Sequence, residues 1–553
     1  MVGRPPSLTS MDDNNVPNGQ KSSSSTSISS MKKHDIVTEE TPLLRTSSPP
    51  REGSILDISV CWHKWSPNAI VLMLMIILLG FMIGDQLLSA PQTRVFESIY
   101  CYAYWEAVDP TRLLLPRSSL GPGAIGGVEE RWCKIAQVQG KVAQLNGTQQ
   151  FLDCIPSLLL AIPFGWAADR YGRKAVFVVG LAGIPAKNMW IQSVCWFWQT
   201  FDIRLTWLSS LSGLMGGGST VVTAMFFVVI SDVTPEATRA ATFLRIGAVN
   251  LFAFFIAPPI SALLMTWTPW IPMILGTTIE ILSTLLALTV PETLNYRHPT
   301  LPFTPPHSPP SEPSDDQVRP PSNSFSRTLT RVRTSTSFLY ADWRIAALTL
   351  TFLAHMLQTT AGNLLLQYCS ARYLLPFSRA TLVLSIKSGT TVIFMLLGLP
   401  ALARLCTDRF GMDAQHKDLY LSRASAVFML AGWVLIALAP TLPFFIAALL
   451  VLVGGSGLPL LVRSYMTGLV EPHHVARMYM IVGIVDTVGM MVGGPLLAEM
   501  FDVGMRIGGV GIGLPFFFIG GLFGVMTCVL GCIGHRKGDS VEVEDQQEEG
   551  EDV

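Results

Sequence analysis

Six ionisable side chains stand inside stretches that are otherwise almost free of charge: Asp85, Lys187, Arg245, Glu280, Lys387 and Asp486. A charge in hydrocarbon is costly unless it is paired or faces water, so each must point at a partner or a cavity. A carboxyl lining a wet cavity with low-dielectric walls can take up and release a proton, which is chemistry without a covalent step. Asp486 and Glu280 lie near the middle of their apolar runs, and Asp486 is the first choice for that task. Asp85 lies near the end of its run and reads equally as a wet flank, as does Asp153. Lys387 suits either a carboxylate partner or an anionic group of a substrate. Lys187 is about 12 residues, or some 18 Å, into its run; a structural ion pair and a functional role fit it equally. Arg245, about five residues into its run, can reach an aqueous face. His355 reads as a packed polar residue or as a proton shuttle. It shares its run with Gln358, Asn363 and Gln367, which mark either a cavity wall or helix–helix hydrogen bonds.

Covalent chemistry has no comparable support. No nucleophile, base and acid fall into a recognisable set, so the chain does not read as an enzyme. The glycines between Gly213 and Gly218 lack the lysine and the strand–turn–helix setting of a phosphate loop. The nine cysteines form no metal-ligand spacing, and Cys528 and Cys532 read as packed thiols. No metal and no cofactor are implied.

The elements that must hold these residues follow from composition. The chain has 553 residues, of which 50 % are hydrophobic and 14 % charged, with a net charge of −1. Mean hydropathy is +0.43. That is too little charge to cover a soluble protein of this length, and no positive field exists to attract nucleic acid. A helix of about 20 apolar residues crosses a bilayer. Such runs lie near 67–88, 148–168, 175–196, 207–231, 241–264, 270–290, 345–366, 380–402, 423–440, 442–463, 478–498 and 511–533. The third is weakest, because Lys187 interrupts it. Lys and Arg concentrate in the N-terminal tail and in alternate connections such as 169–174 and 403–423. This bias puts both termini in the cytosol.

Five regions result. Residues 1–60 are a polar, Ser/Pro-rich tail of disordered composition, with no apolar segment of signal-peptide length. Residues 61–290 carry six spans, with a long outer loop over 89–147. Residues 291–343 form a cytosolic linker, residues 344–533 carry six more spans, and 534–553 are an acidic tail. Cys101 and Cys133 share the outer loop, and there they either pair as a disulfide or remain two free thiols. Asn146-Gly147-Thr148 matches a glycosylation sequon, but it abuts a span. Glu39, Leu43 and Leu44 fit an acidic dileucine signal for an adaptor, which favours a vacuolar or endosomal membrane over the plasma membrane.

The two halves repeat one another. Gly165-Trp-Ala-Ala-Asp169-Arg170-Tyr-Gly172-Arg173-Lys174 joins spans two and three, and Asp408-Arg409-Phe-Gly411 joins spans eight and nine. Pro258 and Pro495 recur at nearly the same offset, as expected of duplicated six-helix halves. The first loop resembles the G-x-x-x-D-R-x-G-R-K motif of the major facilitator superfamily, and Pro291-Glu292-Thr293 resembles that family too. The resemblance spans about residues 65–535. A finer likeness is to a fungal branch distantly similar to proton-coupled folate and tetracycline-type carriers. It rests on Pro91 through Glu97, Cys101, Glu130 through Ile135, Val138-Gln139, Gln367-Tyr368, Arg372-Tyr373 and Asp418 through Arg423. The chain departs from the family in two places. Span four lacks a membrane arginine, since Arg204 lies just outside it. Span five has Ala257-Pro258-Pro259 in place of a glycine-rich antiporter motif, which weighs against drug/proton antiport.

The resemblance implies an all-α membrane fold of twelve helices in two six-helix bundles around a central cavity. It implies a latch at Asp169 to Lys174 that closes onto the opposite half in the outward-open state. A topology anchor is the simpler role for the same charges. The expected function is secondary transport of a small molecule, proton-coupled, by alternating access; a transporter-like nutrient sensor and an uncoupled facilitator are the alternatives. The expected partners are the bilayer, the cargo, protons and an adaptor on the N-tail.

Overall fold

The computed structural model describes residues 66–293, 343–470 and 475–533. The two tails, most of the linker and the dileucine residues Glu39, Leu43 and Leu44 lie outside the described residues. Eleven described helices are long and apolar enough to cross a membrane. The chain is therefore an all-α, multi-pass membrane protein.

The first half comprises α1 (Pro67–Val108), α2 (Ala136–Tyr171), α3 (Arg173–Trp196), α4 (Ile203–Val233), α5 (Glu236–Met265) and α6 (Trp270–Ala287). The second comprises α7 (Trp343–Arg372), α8 (Phe377–Phe410), α9 (Ala414–Leu438), α10 (Leu442–Leu469), α11 (Val475–Ile507) and α12 (Leu514–Cys532). Only α3 falls short of the apolar threshold for a span; it carries Arg173, Lys174, Lys187, Asn188 and Gln192.

Local sequence explains the starts and breaks. Ser66 caps α1 by accepting the Ala69 N–H at 3.3 Å, and Pro67 follows at a position where its missing N–H costs nothing. Pro91 sits inside α1 and cannot donate to the Leu87 carbonyl one turn back. Ser261 of α5 donates its hydroxyl to that carbonyl at 2.9 Å instead. In α8 the Phe394–Gly398 turn is π-helical, just before Pro400, which cannot continue the ordinary ladder.

The expected outer loop over 89–147 is mostly helical. α1 runs 20 residues beyond the predicted end at 88, and α2 begins at Ala136 rather than 148. The charges that suggested a loop satisfy one another on the helix: Arg94 and Glu97, one turn apart, bond at 2.9 Å. At 42 residues, α1 is about 63 Å long, twice the roughly 30 Å of hydrocarbon. The irregular part, 109–135, is short turns pinned by tryptophan. Trp198 and Trp270 donate their indole N–H to the Gly121 and Pro122 carbonyls, both at 3.1 Å.

Three large apolar cores form among the described residues, with a small fourth around Cys406, Leu421 and Leu461. One lies at the disulfide end of the first half, around Phe96, Tyr102, Trp105 and Met273. A second lies at its other end, around Leu74, Phe177, Phe226 and Ile230. The third fills the second half around Tyr368, Trp433, Phe445 and Phe516.

α2 packs along α11 and α5 along α8, which joins the halves. Much of that contact lies near the disulfide end. The backbones of Gly147 and Gly494 touch, so a Cβ on either would come within 2.6 Å of the other's carbonyl oxygen. Gln144 bonds Glu499 at 3.1 Å, and Gln150 bonds Thr360 at 3.1 Å. Further along the same face of α2, Leu158 and Ile162 are exposed, Ile162 at 84 %. The face of α2 that meets the second half at Gly147 is thus uncovered toward the 169–174 end. Gly494→Val should force the Gly147 contact apart at a cost of about 1–3 kcal/mol. A lowered midpoint of thermal unfolding in detergent checks this, and an unchanged midpoint refutes it.

Candidate functional site

The charges of the first half meet at mid-depth. Lys187 of α3 bonds Asp153 of α2 at 2.5 Å. The same carboxylate accepts from Ser210 at 2.7 Å and from Gln149 at 2.9 Å. Gln149 also reaches the Ser209 and Ser210 hydroxyls at 3.0 and 2.9 Å. An ammonium within an apolar helix needs a carboxylate, and α2 supplies it from a neighbouring helix. Of the two readings of Lys187, the ion pair is what the structure displays. Glu280 of α6 is fully buried, and both its oxygens accept from the Asn188 amide, at 3.1 and 2.9 Å. Asp85 of α1 is exposed, with the Gln86 amide at 3.4 Å. Lys187 lies within electrostatic reach of both Asp85 and Glu280.

In the second half, Asp486 of α11 pairs with Arg463 of α10 at 3.2 Å. The Arg463 guanidinium also lies 5.1 Å from the Phe352 ring centre on α7. His355, one turn from Phe352, is within electrostatic reach of Arg463. Asp486 Oδ1, Arg463 Nε, His355 Nδ1 and Gln358 Oε1 are buried without a hydrogen-bond partner among the described residues. Lys387 of α8 is half-buried and forms no ion pair among the described residues. Arg245 is exposed on α5.

Among the described residues, Arg170, Gly172 and Arg173 of the 169–174 loop make contacts within their own half. Gly172 takes a φ of +110°, which the turn between α2 and α3 requires, and Glu292 packs where a side chain would go. The Glu292 carboxylate accepts the N–H of Arg173 at 2.9 Å and of Lys174 at 3.2 Å, so it caps α3. Arg173 pairs with Asp169 at 2.8 Å and with Asp232 of α4 at 3.4 Å. Arg170 lies over the Trp166 ring at 5.2 Å. In the repeat, Asp408 and Arg409 are exposed and Gly411 ends α8 at a φ of +58°. Gly165 has open space around it.

At the opposite end, Cys101 and Cys133 form a disulfide with Cα atoms 5.2 Å apart. Beside it, Glu97 is fully buried and bonds Arg94 at 2.9 Å and Lys134 at 2.7 Å. Gln139 donates to Glu97 at 2.5 Å. Glu130 bonds Lys134 at 3.2 Å and Arg94 at 3.3 Å. Burial pushes the Glu130 carboxyl up, but Arg94, Lys134 and a backbone N–H outweigh it and hold the group below its ordinary value.

Three partners were not legible as site residues in the sequence. Arg463 stands at the predicted end of the tenth span, but α10 runs on to Leu469. Glu97 and Lys134 are 37 residues apart, so no spacing rule couples them.

The fold is that of a secondary transporter. The sequence profile of the Major Facilitator Superfamily matches residues 143–494. An efflux pump of Emericella nidulans is 30 % identical over 81 % of this chain and 84 % of its own. An efflux pump of Aspergillus flavus is 26 % identical over 78 % of this chain and 82 % of its own. The chain belongs to the Major Facilitator Superfamily. A crystal structure of a D-xylose–proton symporter shares the fold at a TM-score of 0.54 and 12 % identity, covering 85 % of this chain and 99 % of that one. A nucleoside transporter does so at 0.53 and 13 %, covering 83 % and 98 %.

Two outcomes follow. Asp153→Asn strands the Lys187 ammonium; the pair is partly buried, with side chains 29 % and 26 % exposed, so the cost falls below the about 3–5 kcal/mol of a fully buried pair. Asp153→Asn/Lys187→Gln should recover most of the loss in thermal midpoint; a double variant as unstable as the single one would refute the pairing. For Glu130 the lowered value means its stabilisation is complete above about pH 4.3 and is lost as pH falls through the lowered value. The midpoint difference between wild type and Glu130→Gln should stay constant from about pH 8 to pH 5.5 and narrow only below about pH 4.

Proposed function

We propose that this protein exports a small organic molecule by alternating access, driven by protons. Twelve helices, α3 included, would form two six-helix bundles, with the disulfide end outside or in a lumen and both termini in the cytosol. Two relatives named as efflux pumps support the direction. A folate- or tetracycline-type cargo has no such support.

The observation that carries the coupling is the Arg463–Asp486 pair, with its spare hydrogen-bonding atoms beside His355 and Gln358. A proton on Asp486 removes its charge, and with it the ion-pair attraction, and frees the Arg463 guanidinium. Loss of the proton restores the pair and returns the wall to its resting arrangement. The empty and the loaded states thereby differ in one buried charge, which is what an obligatory exchange needs. Glu280 and Asp85 line the other half and could hold a second proton. Lys387 offers an unpaired ammonium to an anionic group of the cargo. Arg245 serves the cytosolic face.

The loop at Asp169 to Lys174 would latch onto the second half only when the cleft closes there; in this structure its pairs stay within the first half. Glu39, Leu43 and Leu44 would route the protein to a vacuolar or endosomal membrane through an adaptor.

The test is cargo-dependent proton movement in proteoliposomes with an internal pH dye, over a panel of organic anions, amino acids and cationic drugs. Asp486→Asn should abolish proton flux while labelled cargo still equilibrates. Lys387→Gln should weaken anionic cargo at least tenfold in KM and leave cations unchanged. Proton flux that survives Asp486→Asn would overturn the assignment of Asp486.

A further inference from the structure

The segment that carries Cys133, residues 129–135, reaches the other half of the protein at Phe377. Phe377, the first residue of α8, donates its backbone N–H to Glu130 Oε1 at 2.8 Å. The Lys134 ammonium stands 4.1 Å from the centre of the Phe377 ring. Phe377 itself is fully buried, although it lies at the end of a helix where exposure is usual. A carboxylate here meets an unpaired N–H and the positive end of the α8 dipole, which is the best site on α8 for a negative charge.

We propose that Glu130 and Lys134 form a gate: their hold on the N-terminus of α8 locks the two halves together at the disulfide end and must let go before the cleft can open on that side. The proposal rests on the alternating-access reading, but its test reads shape rather than flux.

Three features make the contact a lock rather than a chance touch. First, Glu130 is held rigidly: Arg94 and Lys134 grip it, and both are fixed in turn by the buried Glu97. Second, the carrying segment is stapled. Cys133 lies next to Lys134 and is bonded to Cys101 on α1, so the lever moves with α1 and not on its own. Third, the contact is breakable at low cost to either half. Release leaves Glu130 with Arg94 and Lys134, and leaves Phe377 one N–H for water to satisfy. The network within the first half survives opening; only the link across the halves is lost. This differs from the Gly147–Gly494 contact, which is shape alone and carries no charge.

The experiment uses the full-length protein in lipid nanodiscs. Cys61, Cys528 and Cys532 are replaced by serine, and spin labels are placed at Ala103→Cys on α1 and Arg379→Cys on α8, both exposed positions at this end. Double electron–electron resonance reads the distance between them. Wild type should show mainly the short distance. Glu130→Ala should raise a longer-distance population several-fold. Glu130→Gln keeps an oxygen for the Phe377 N–H without the charge, and should fall between the two. Phe377→Leu keeps the N–H and removes the ring, and should also raise the longer population. A distribution for Glu130→Ala that superimposes on wild type overturns the gate. If Glu130→Ala fails to give monodisperse protein, Glu130→Gln decides, and an unshifted distribution there overturns it equally. Loss of transport in Asp486→Asn with normal distances would bear on the coupling reading and leave the gate standing.

Discussion

A charge inside the hydrocarbon must be answered from within the protein, because no water is there to answer it. The arrangement of this molecule follows from that requirement. Lys187 needs Asp153, and the need fixes α3 against α2. Glu280 needs the Asn188 amide, and this fixes α6 against α3. Asp486 needs Arg463, and this fixes α11 against α10. Apolar packing alone tolerates rotation of one helix about another, since one hydrocarbon face resembles the next. A pair of opposite charges does not, because rotating one helix by half a turn leaves a naked charge. The pairs therefore set the register, and the three apolar cores fill the space around them.

The pairs differ in how completely they are supported. Asp153 takes bonds from Lys187, Ser210 and Gln149. Asp486 bonds Arg463 alone, and its second oxygen and the Arg463 Nε have no partner among the described residues. A partly satisfied group has alternatives of similar energy. Buried polar atoms without a partner occur in both halves, Gln149 Oε1 in the first among them.

The sequence revealed the class of protein through its apolar runs, and the family through the loop at 165–174. It also marked Asp486, Glu280, Lys187 and Lys387 by the simplest of signals, a charge in an uncharged stretch. What it hid was partnership. Asp153 stands near enough to a predicted boundary to pass for a flank, and Arg463 likewise. Boundaries were misjudged for a physical reason: a charge was read as the end of a helix, whereas Arg94 and Glu97 neutralise each other one turn apart and let α1 continue. The disulfide end was the least legible region, since its contacts join residues tens of positions apart and, through Phe377, opposite halves of the chain.

Pro91 gives α1 a joint, and Ser261 ties that joint to α5. On one side of it the rod carries Asp85; on the other it carries Arg94, Glu97 and Cys101. α1 nevertheless runs as one helix from Pro67 to Val108, so the position where it gives up an internal bond is also the position where it is tied to its neighbour. A helix that gives one rung to its neighbour is anchored at a chosen height, and that height is set by where along α1 the proline falls.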